Sequence, residues 1–436
     1  MNPRNKRTNI GTTIGSPHWF HSTQTRKVIK ALRSEGAEVR FVGGCIRDTL
    51  ANRPVKDIDL ATPTIPDDII KLLEKYNIRA LPTGIQHGTI TAVCEQKAFQ
   101  ITTLRKDKKT DGRHAEVVFT DDWASDSRRR DFTINSLSAD LRGIVYDYND
   151  GIVDLKHGRV RFIGSAQNRI DEDYLRILRF FRFQGEYGQL PIDSDVLRVL
   201  GSRASKLKKL SGERIRDEFF KILMVPDPVK ILINMQECGI LSIFLPEAST
   251  LRRLGHLNDL EKRISSVKDI MPNKLRRLAA LFDPKINDTS LSSAMERLKL
   301  PNYDRSFLRG IINPEIESLT QMDKSQLLKL LRKFGPSQTR DLILLEWANN
   351  LMSSTTIPKS QTNTYISLLE KCTAWKSPRF PLTGTDALNL GVIEGPIIGA
   401  ILASVEEWWE RNGYTADRQK CLERMDLEVH KSTKKI

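Results

Sequence analysis

Two aspartates, Asp57 and Asp59, stand i, i+2 in VKDIDLA. On a strand, side chains at that spacing project from one face. Two carboxylates so placed repel each other unless solvent bathes them or a cation lies between them. Hard cations such as Mg²⁺ take carboxylate and phosphate oxygens together. Ile58 and Leu60 point the opposite way, towards a core, so register fixes the acids on the other face. A lone Asp-x-Asp is commonly a solvated pair, and its weight here comes from its neighbours.

Upstream, FVGGCIRD sets Gly43 and Gly44 between an apolar pair and a short helical pattern. A glycine pair at a strand-to-helix turn lets backbone N–H groups approach an anion. By itself it is an ordinary tight turn. Arg47 in the first turn of the following helix adds a guanidinium that can pair with a phosphate. Asp48 can orient Arg47 or complement the helix dipole. Downstream, SRRRDFTINSLSAD places Arg128, Arg129 and Arg130 directly before Asp131 and the apolar anchors Phe132, Ile134 and Leu137. Arginines followed at once by core residues are held against the fold, which suits phosphate or RNA. Asn135 can bond a sugar hydroxyl or cap the turn.

In DEDYLRILRFFRF, Arg176, Arg179 and Arg182 recur every third residue from Asp173. Helical i, i+3 neighbours touch, so an Asp173–Arg176 pair is expected. The plain reading is a helical ion pair on a basic face. The sharper one uses hydrogen-bond types: a carboxylate accepts and a guanidinium donates. Together they match the Watson–Crick edge of cytosine, with Asp173 on the N4 amino group and Arg176 on N3. Adenine offers the same order through N6 and N1. Uracil sets an acceptor opposite the carboxylate, and the guanine edge is reversed.

These groups need a scaffold of two kinds. TRKVIKALRSEG reads as a helix stopped at Gly36, AEVRFVGG and VKDIDLA as strands, PDDIIKLLEKYN as a helix, and HGTITAVC and AFQITTLR as alternating strands. After about residue 165, helical periodicity dominates to the end. The 436 residues are 39% hydrophobic, enough for a sizeable core and too long for one ordinary domain. A formal net charge of +15 suggests a polyanionic partner such as nucleic acid. Cys45, Cys94, Cys238, Cys372 and Cys421 form no CxxC, which argues against a zinc ribbon or a disulfide scaffold and fits a reducing compartment. No apolar run approaches a membrane span. The basic, acid-free start MNPRNKRTNIGTT lacks a signal core; a cytoplasmic location is the simpler reading, with an organelle transit peptide as the alternative.

GGCIRD, VKDIDLAT, HGTIT, the run from ITTLRKDKK to RRRDFTINSL, and EDYLRILRFFRF resemble the class II tRNA nucleotidyltransferases, the CCA-adding enzymes, in order and spacing. LTGTDALNLGVIEGPIIGAIL resembles that family's C-terminal helical region. The resemblance implies an α+β protein: a polymerase-β-like nucleotidyltransferase head followed by an all-α neck, body and tail, shaped like a seahorse. The expected divisions are an N-terminal arm over 1–24, head 25–165, neck 166–225, body 226–360 and tail 361–436. The implied activity is template-independent addition of C, C and A to tRNA 3′ ends from CTP and ATP, with Mg²⁺ and without membrane or stable protein partner. By position, Asp57 and Asp59 would be the catalytic metal ligands. Gly43, Gly44, Arg47, Arg130, Asp131 and Asn135 would hold the nucleotide. Asp173 and Arg176 would read the base, supported by Arg179 and Arg182.

One departure stands out. Many relatives carry an acid in the strand that here reads FQITTLR, where this chain has Gln100. A neutral amide supplies no third metal-side charge, so a two-carboxylate scheme is expected. Bacterial poly(A) polymerase shares the head and neck motifs and is the rival activity. The full-length stretch KDKKTDGRHAEVVF, and a C-terminus with only the short basic end KSTKKI, favour CCA addition. A non-catalytic RNA-binding protein is the alternative of another class, and an RNA surface gains nothing from two adjacent acids. No His-Asp dipeptide marks an appended hydrolase.

Overall fold

The computed structural model describes residues 12–110, 115–264, 270–312, 319–353, 358–376 and 378–433. The chain divides into two compact units: residues 1–246 with 296–299, and 247–295 with 300–436.

The first unit holds the sheet. Its strands are β1 (Arg40–Val42), β2 (Ile58–Thr62), β3 (Arg79–Gly84), β4 (Thr89–Cys94), β5 (Lys97–Thr103), β6 (Arg105–Thr110), β7 (Ala115–Phe119), β8 (Ser138–Ala139) and β9 (Val145–Tyr146). Seven of them form one sheet in the order β3-β4-β5-β2-β1-β8-β9, while β6 and β7 pair as a separate hairpin. β2 and β5 run parallel, with Asp59 opposite Gln100. Helices α1 (Thr23–Leu32), α2 (Gly44–Leu50) and α3 (Pro66–Lys75) belong to this part of the chain. Val28, Ile46, Ile69 and Leu73 of these helices join Phe41, Leu60, Ile90, Phe99 and Ile101 of the sheet in one buried core. The apolar spacing that predicts these helices is therefore the face that packs on the sheet.

Past the sheet come α4 (Trp123–Arg128), α5 (Gly151–Lys156), α6 (Ala166–Glu172), α7 (Arg176–Tyr187), α8 (Ser194–Ser202), α9 (Gly212–Leu223), α10 (Pro228–Glu237) and α11 (Leu241–Phe244). Two of the expected divisions differ from this picture. The arm expected over 1–24 is already packed at Thr13, which bridges Ile144. Ile14 and Phe20 are buried, and Phe20 and Trp19 rest on Phe41, because three apolar side chains gain more against the core than in water. Residues 1–11 of that arm lie outside the described residues, as do 111–114 of KDKKTDGRHAEVVF and 434–436 of the basic end. The division expected at residue 226 falls inside the first unit, which also holds α10 and α11 and where Gly185 of α7 abuts Val225 and Ile231.

The second unit is helical: α12 (Leu251–Ile264), α13 (Lys274–Ala279), α14 (Asp288–Arg297, its last two residues in the first unit), α15 (Asn302–Ile312), α16 (Lys324–Ser353), α17 (Lys359–Ala374), α18 (Gly384–Asn389), α19 (Pro396–Arg411) and α20 (Arg418–Thr433). α16 breaks at Gly335 (φ +75°), ahead of Pro336. A buried ionic cluster ties three helices: Glu261 takes Arg276 at 2.5 Å and Arg277 at 2.7 Å, and Arg276 also pairs with Asp341. Ile401, Val405, Trp409, Cys421 and Met425 form a second apolar core between α19 and α20.

Candidate active site

The glycine turn is built as its residue types require. β1 ends at Val42, and Gly43 adopts φ +71°, ψ −122°, a conformation closed to side chains. A Cβ there would stand 3.3 Å from Arg130 Nη1. Gly43 N–H donates to the Leu137 carbonyl at 2.9 Å, and its own carbonyl accepts from the Arg47 amide as α2 begins. Arg47 differs from the expected free clamp. Its side chain is 9% exposed, with Nε donating to Asp48 Oδ1 (2.9 Å) and Nη1 to Asn135 Oδ1 (2.5 Å). It lies over the rings of Tyr187 (4.4 Å) and Phe183 (5.0 Å). Arg47 is thus a fixed positive charge in the floor, and Asp48 orients it.

The two acids fall at the start of β2. Ile58 and Leu60 are buried, Asp59 is half-buried, and Asp57 is exposed one residue before the strand. Burial pushes the Asp59 carboxyl up; Arg130 opposes that and the Asp57 carboxylate adds to it. Such a pair gains from a cation. Among the described residues no three His, Cys, Asp or Glu side chains cluster to hold a metal. Asp57 and Asp59 offer two carboxylates, and exposed Gln100 is the β5 neighbour of Asp59. The donor set fits a hard divalent cation that completes its shell with phosphate and water oxygens.

The arginine run is anchored from below. Asp126 is buried and takes Arg129 at 2.8 Å and Arg130 at 3.2 Å. Its burial favours the neutral acid, but Arg130 and Arg129 outweigh it and hold the carboxyl low. Arg128 is exposed. Asp131, expected at the nucleotide, is buried and spoken for: Oδ1 accepts from Asn135 Nδ2 (3.1 Å), and Oδ2 from Arg179 Nε (2.8 Å). Asn135 in turn bridges Arg47 and Asp131 rather than standing free for a sugar.

The expected Asp173–Arg176 side-chain pair is not formed. Asp173 sits in extended backbone (φ −154°, ψ 110°) between α6 and α7, so the helical i, i+3 rule does not apply. Its carboxylate accepts from Arg214 Nη2 at 2.9 and 3.1 Å. Arg176 donates instead to Glu172 Oε2 (2.5 Å) and the Arg169 carbonyl (2.9 Å). Arg182 is set away from the site, with Nε on buried Glu218 at 2.5 Å and a second contact to Glu186.

A cavity of about 460 Å³ gathers these parts. Gly43, Gly44, Arg47, Asp59, Arg130, Asp131, Asn135, Asp173, Arg176 and Arg179 line it, whereas Asp57 and Arg182 do not. Arg214 and Phe183 line it unforeseen. Arg214 was legible only as one cation of the basic stretch SKLKKLSGERIRDEF; nothing local tied it to Asp173, 41 positions away. The cavity thus combines the Asp59 carboxylate, the glycine turn with its arginines, and the Asp173 acceptor beside the donors Arg176 and Arg214.

Comparison with known proteins places the chain in a family. Residues 39–161 match the model of the poly A polymerase head domain, and residues 189–251 that of a probable RNA and SrmB-binding site of polymerase A. The mouse mitochondrial CCA tRNA nucleotidyltransferase 1 is 34% identical over 406 residues, covering 91% of this chain and 88% of the relative. Its human counterpart is 35% identical, covering 89% and 86%. The CCA-adding enzyme of Lactobacillus johnsonii is 37% identical over 220 residues, half of this chain. Among solved structures, the Bacillus stearothermophilus CCA-adding enzyme in complex with CTP superposes with a TM-score of 0.66 over 95% of this chain and 98% of that one, at 21% identity. At that identity the likeness shows the fold.

Proposed function

The chain belongs to the CCA tRNA nucleotidyltransferase family, and from that premise we propose that its pocket adds C, C and A to tRNA 3′ ends by two-metal nucleotidyl transfer, releasing pyrophosphate. The observation that carries the reading is the single cavity lined by Asp59, the glycine turn, Arg130, Asp173, Arg176 and Arg214. No template strand is needed where the protein itself supplies an acceptor and a donor for the incoming base.

Asp57 and Asp59 would hold Mg²⁺, which when bound lowers the pKa of the attacking 3′-hydroxyl and neutralises charge at the α-phosphate. The Gly44 end of the turn would meet the triphosphate, the Gly43 N–H being held by the Leu137 carbonyl, and Arg47 and Arg130 would meet its charge. Asp173, held by Arg214, accepts the amino hydrogen of C or A. Arg176 donates to the adjacent ring nitrogen once it turns from Glu172. Arg179 keeps Asp131 charged beneath them. Discrimination against U and G follows because each leaves the Asp173 acceptor or the Arg176 donor facing a group of its own kind.

The test is incorporation of each labelled nucleotide, singly and in pairs, into a tRNA lacking its CCA end. Two C from CTP alone and one A after ATP is added are expected. Runs of A from ATP on any RNA would make the protein a poly(A) polymerase, and no incorporation would leave an RNA-binding protein. The cytoplasm is proposed as the compartment; the mitochondrial names of the mouse and human relatives make the organelle the contrary outcome of a localisation experiment.

A further inference from the structure

The base-reading helix α7 touches the nucleotide turn at both of its ends. At one end Arg179 donates Nε and Nη2 to Asp131 Oδ2 at 2.8 and 2.5 Å. Asp131 Oδ1 accepts from Asn135, Asn135 Oδ1 accepts from Arg47, and Arg47 donates to Asp48 Oδ1. That same oxygen accepts the Tyr187 hydroxyl at 2.5 Å. The chain of donors and acceptors leaves α7 at Arg179, crosses the turn at Thr133–Asn135 and then α2, and returns to α7 at Tyr187. It forms a ring around buried Phe183, whose face meets Arg182 (4.0 Å), Arg47 (5.0 Å) and Arg179 (5.3 Å). The Tyr187 ring lies under both Arg47 and Arg53, each at 4.4 Å.

We propose that Tyr187 is a positioning residue for nucleotide selection: its hydroxyl on Asp48 and its ring under Arg47 fix the angle between the base-reading helix and the triphosphate turn. The role rests on the reading of the pocket given above. The buried face of α7 (Ile177, Leu178, Phe180, Phe181) seats the helix, and two polar ties about 12 Å apart along it refine its direction against the turn. Arg176 stands at the N-terminal end of that helix, so its distance from the base edge depends on this direction. Discrimination by hydrogen-bond pattern needs the edge groups held to within about 0.5 Å. Tyr187 does not line the cavity and would act through Asp48 and Arg47.

The variant Tyr187→Phe removes the hydroxyl's bond to Asp48 while keeping the ring under Arg47 and Arg53 and the Arg53 bond to the Glu186 carbonyl, so the fold survives. Single-nucleotide addition to tRNA lacking its end is measured with CTP, ATP and UTP, alongside thermal melts. KM for CTP is expected to rise about threefold to tenfold with kcat within about twofold, and C-over-U discrimination to fall about tenfold. The requirement for Mg²⁺ stays unchanged. In an Asp48→Ala background the same substitution adds nothing further, because the partner oxygen is gone. Wild-type KM and wild-type discrimination in Tyr187→Phe would overturn the role. So would an undiminished effect in the Asp48→Ala background. A wild-type chain that adds no nucleotide overturns the pocket reading itself, and this role with it.

Discussion

Asp59 carries two opposed demands. The carboxylate must be ionised to hold a cation, yet burial and Asp57 favour its neutral form against the pull of Arg130. A carboxyl raised in the folded state binds its proton more tightly than in the unfolded chain. Its contribution to stability is therefore fully present below the ordinary carboxyl range and is lost as pH rises through the folded value. Asp59→Asn removes that liability. Thermal melts in EDTA should show the variant above wild type at neutral pH and level with it below the ordinary carboxyl range. Nucleotide addition by the same variant should fall about a thousandfold or more, since cation binding and charge stabilisation fail together. Gln100 bears on the same cation. It is the register partner of Asp59 on parallel β5 and is exposed. Gln100→Glu adds a third negative charge beside the pair, so half-maximal addition should need about threefold to tenfold less Mg²⁺. An unchanged Mg²⁺ titration would show that position 100 lies outside the cation's reach.

At the scale of elements, the glycine turn makes an asymmetric prediction. Gly43 sits at positive φ, and a Cβ there would press on Arg130. Gly44 opens α2 in helical backbone, and a Cβ there would meet only Arg47 Nη2 at 3.7 Å. Gly43→Ala should cost about 1–3 kcal/mol of stability and raise KM for both nucleotides. Gly44→Ala should leave the melting temperature within a few degrees, because alanine suits a helix better than glycine. Equal melting of the two variants would contradict the strained-turn geometry. The same turn shows what the sequence could disclose. The acids, glycines and arginine run were legible because local patterns set them: alternation at Ile58 and Leu60, a strand-to-helix switch at Gly43, anchors at Phe132 and Ile134. The partners were not. Asp173 pairs with Arg214, Arg47 with Asn135, and Arg182 with Glu218, across 41, 88 and 36 positions. Each is a tertiary choice among several cations and acids that no spacing rule ranks. Asp173–Arg176 failed for a local reason: the helix begins after Asp173, so the i, i+3 neighbours never share a face.

For the whole molecule, the surplus of 69 basic over 54 acidic residues matters only where it meets solvent. Part of the cationic total is consumed internally, as Arg276 and Arg277 are on Glu261 and Asp341, or Arg129 and Arg130 on Asp126. Exposed runs such as Lys206, Lys208 and Lys209 keep theirs. Lys209 also stands 5.8 Å from the Tyr174 ring, next in sequence to the cavity residue Asp173. A polyanion bound by such groups releases counterions, so its affinity falls as a power of salt concentration. KM for tRNA should rise at least about tenfold between 50 and 200 mM salt. KM for CTP should move less, because one triphosphate meets fewer cations than a long polyanion does. Replacing Lys206, Lys208 and Lys209 together by Ala should flatten the log–log salt dependence for tRNA by about one to three, roughly one for each phosphate no longer neutralised, with KM for CTP unchanged. If the slope for tRNA stays at the wild-type value, the primer strand does not cross these lysines, and the cations it meets belong to other exposed surfaces of the chain.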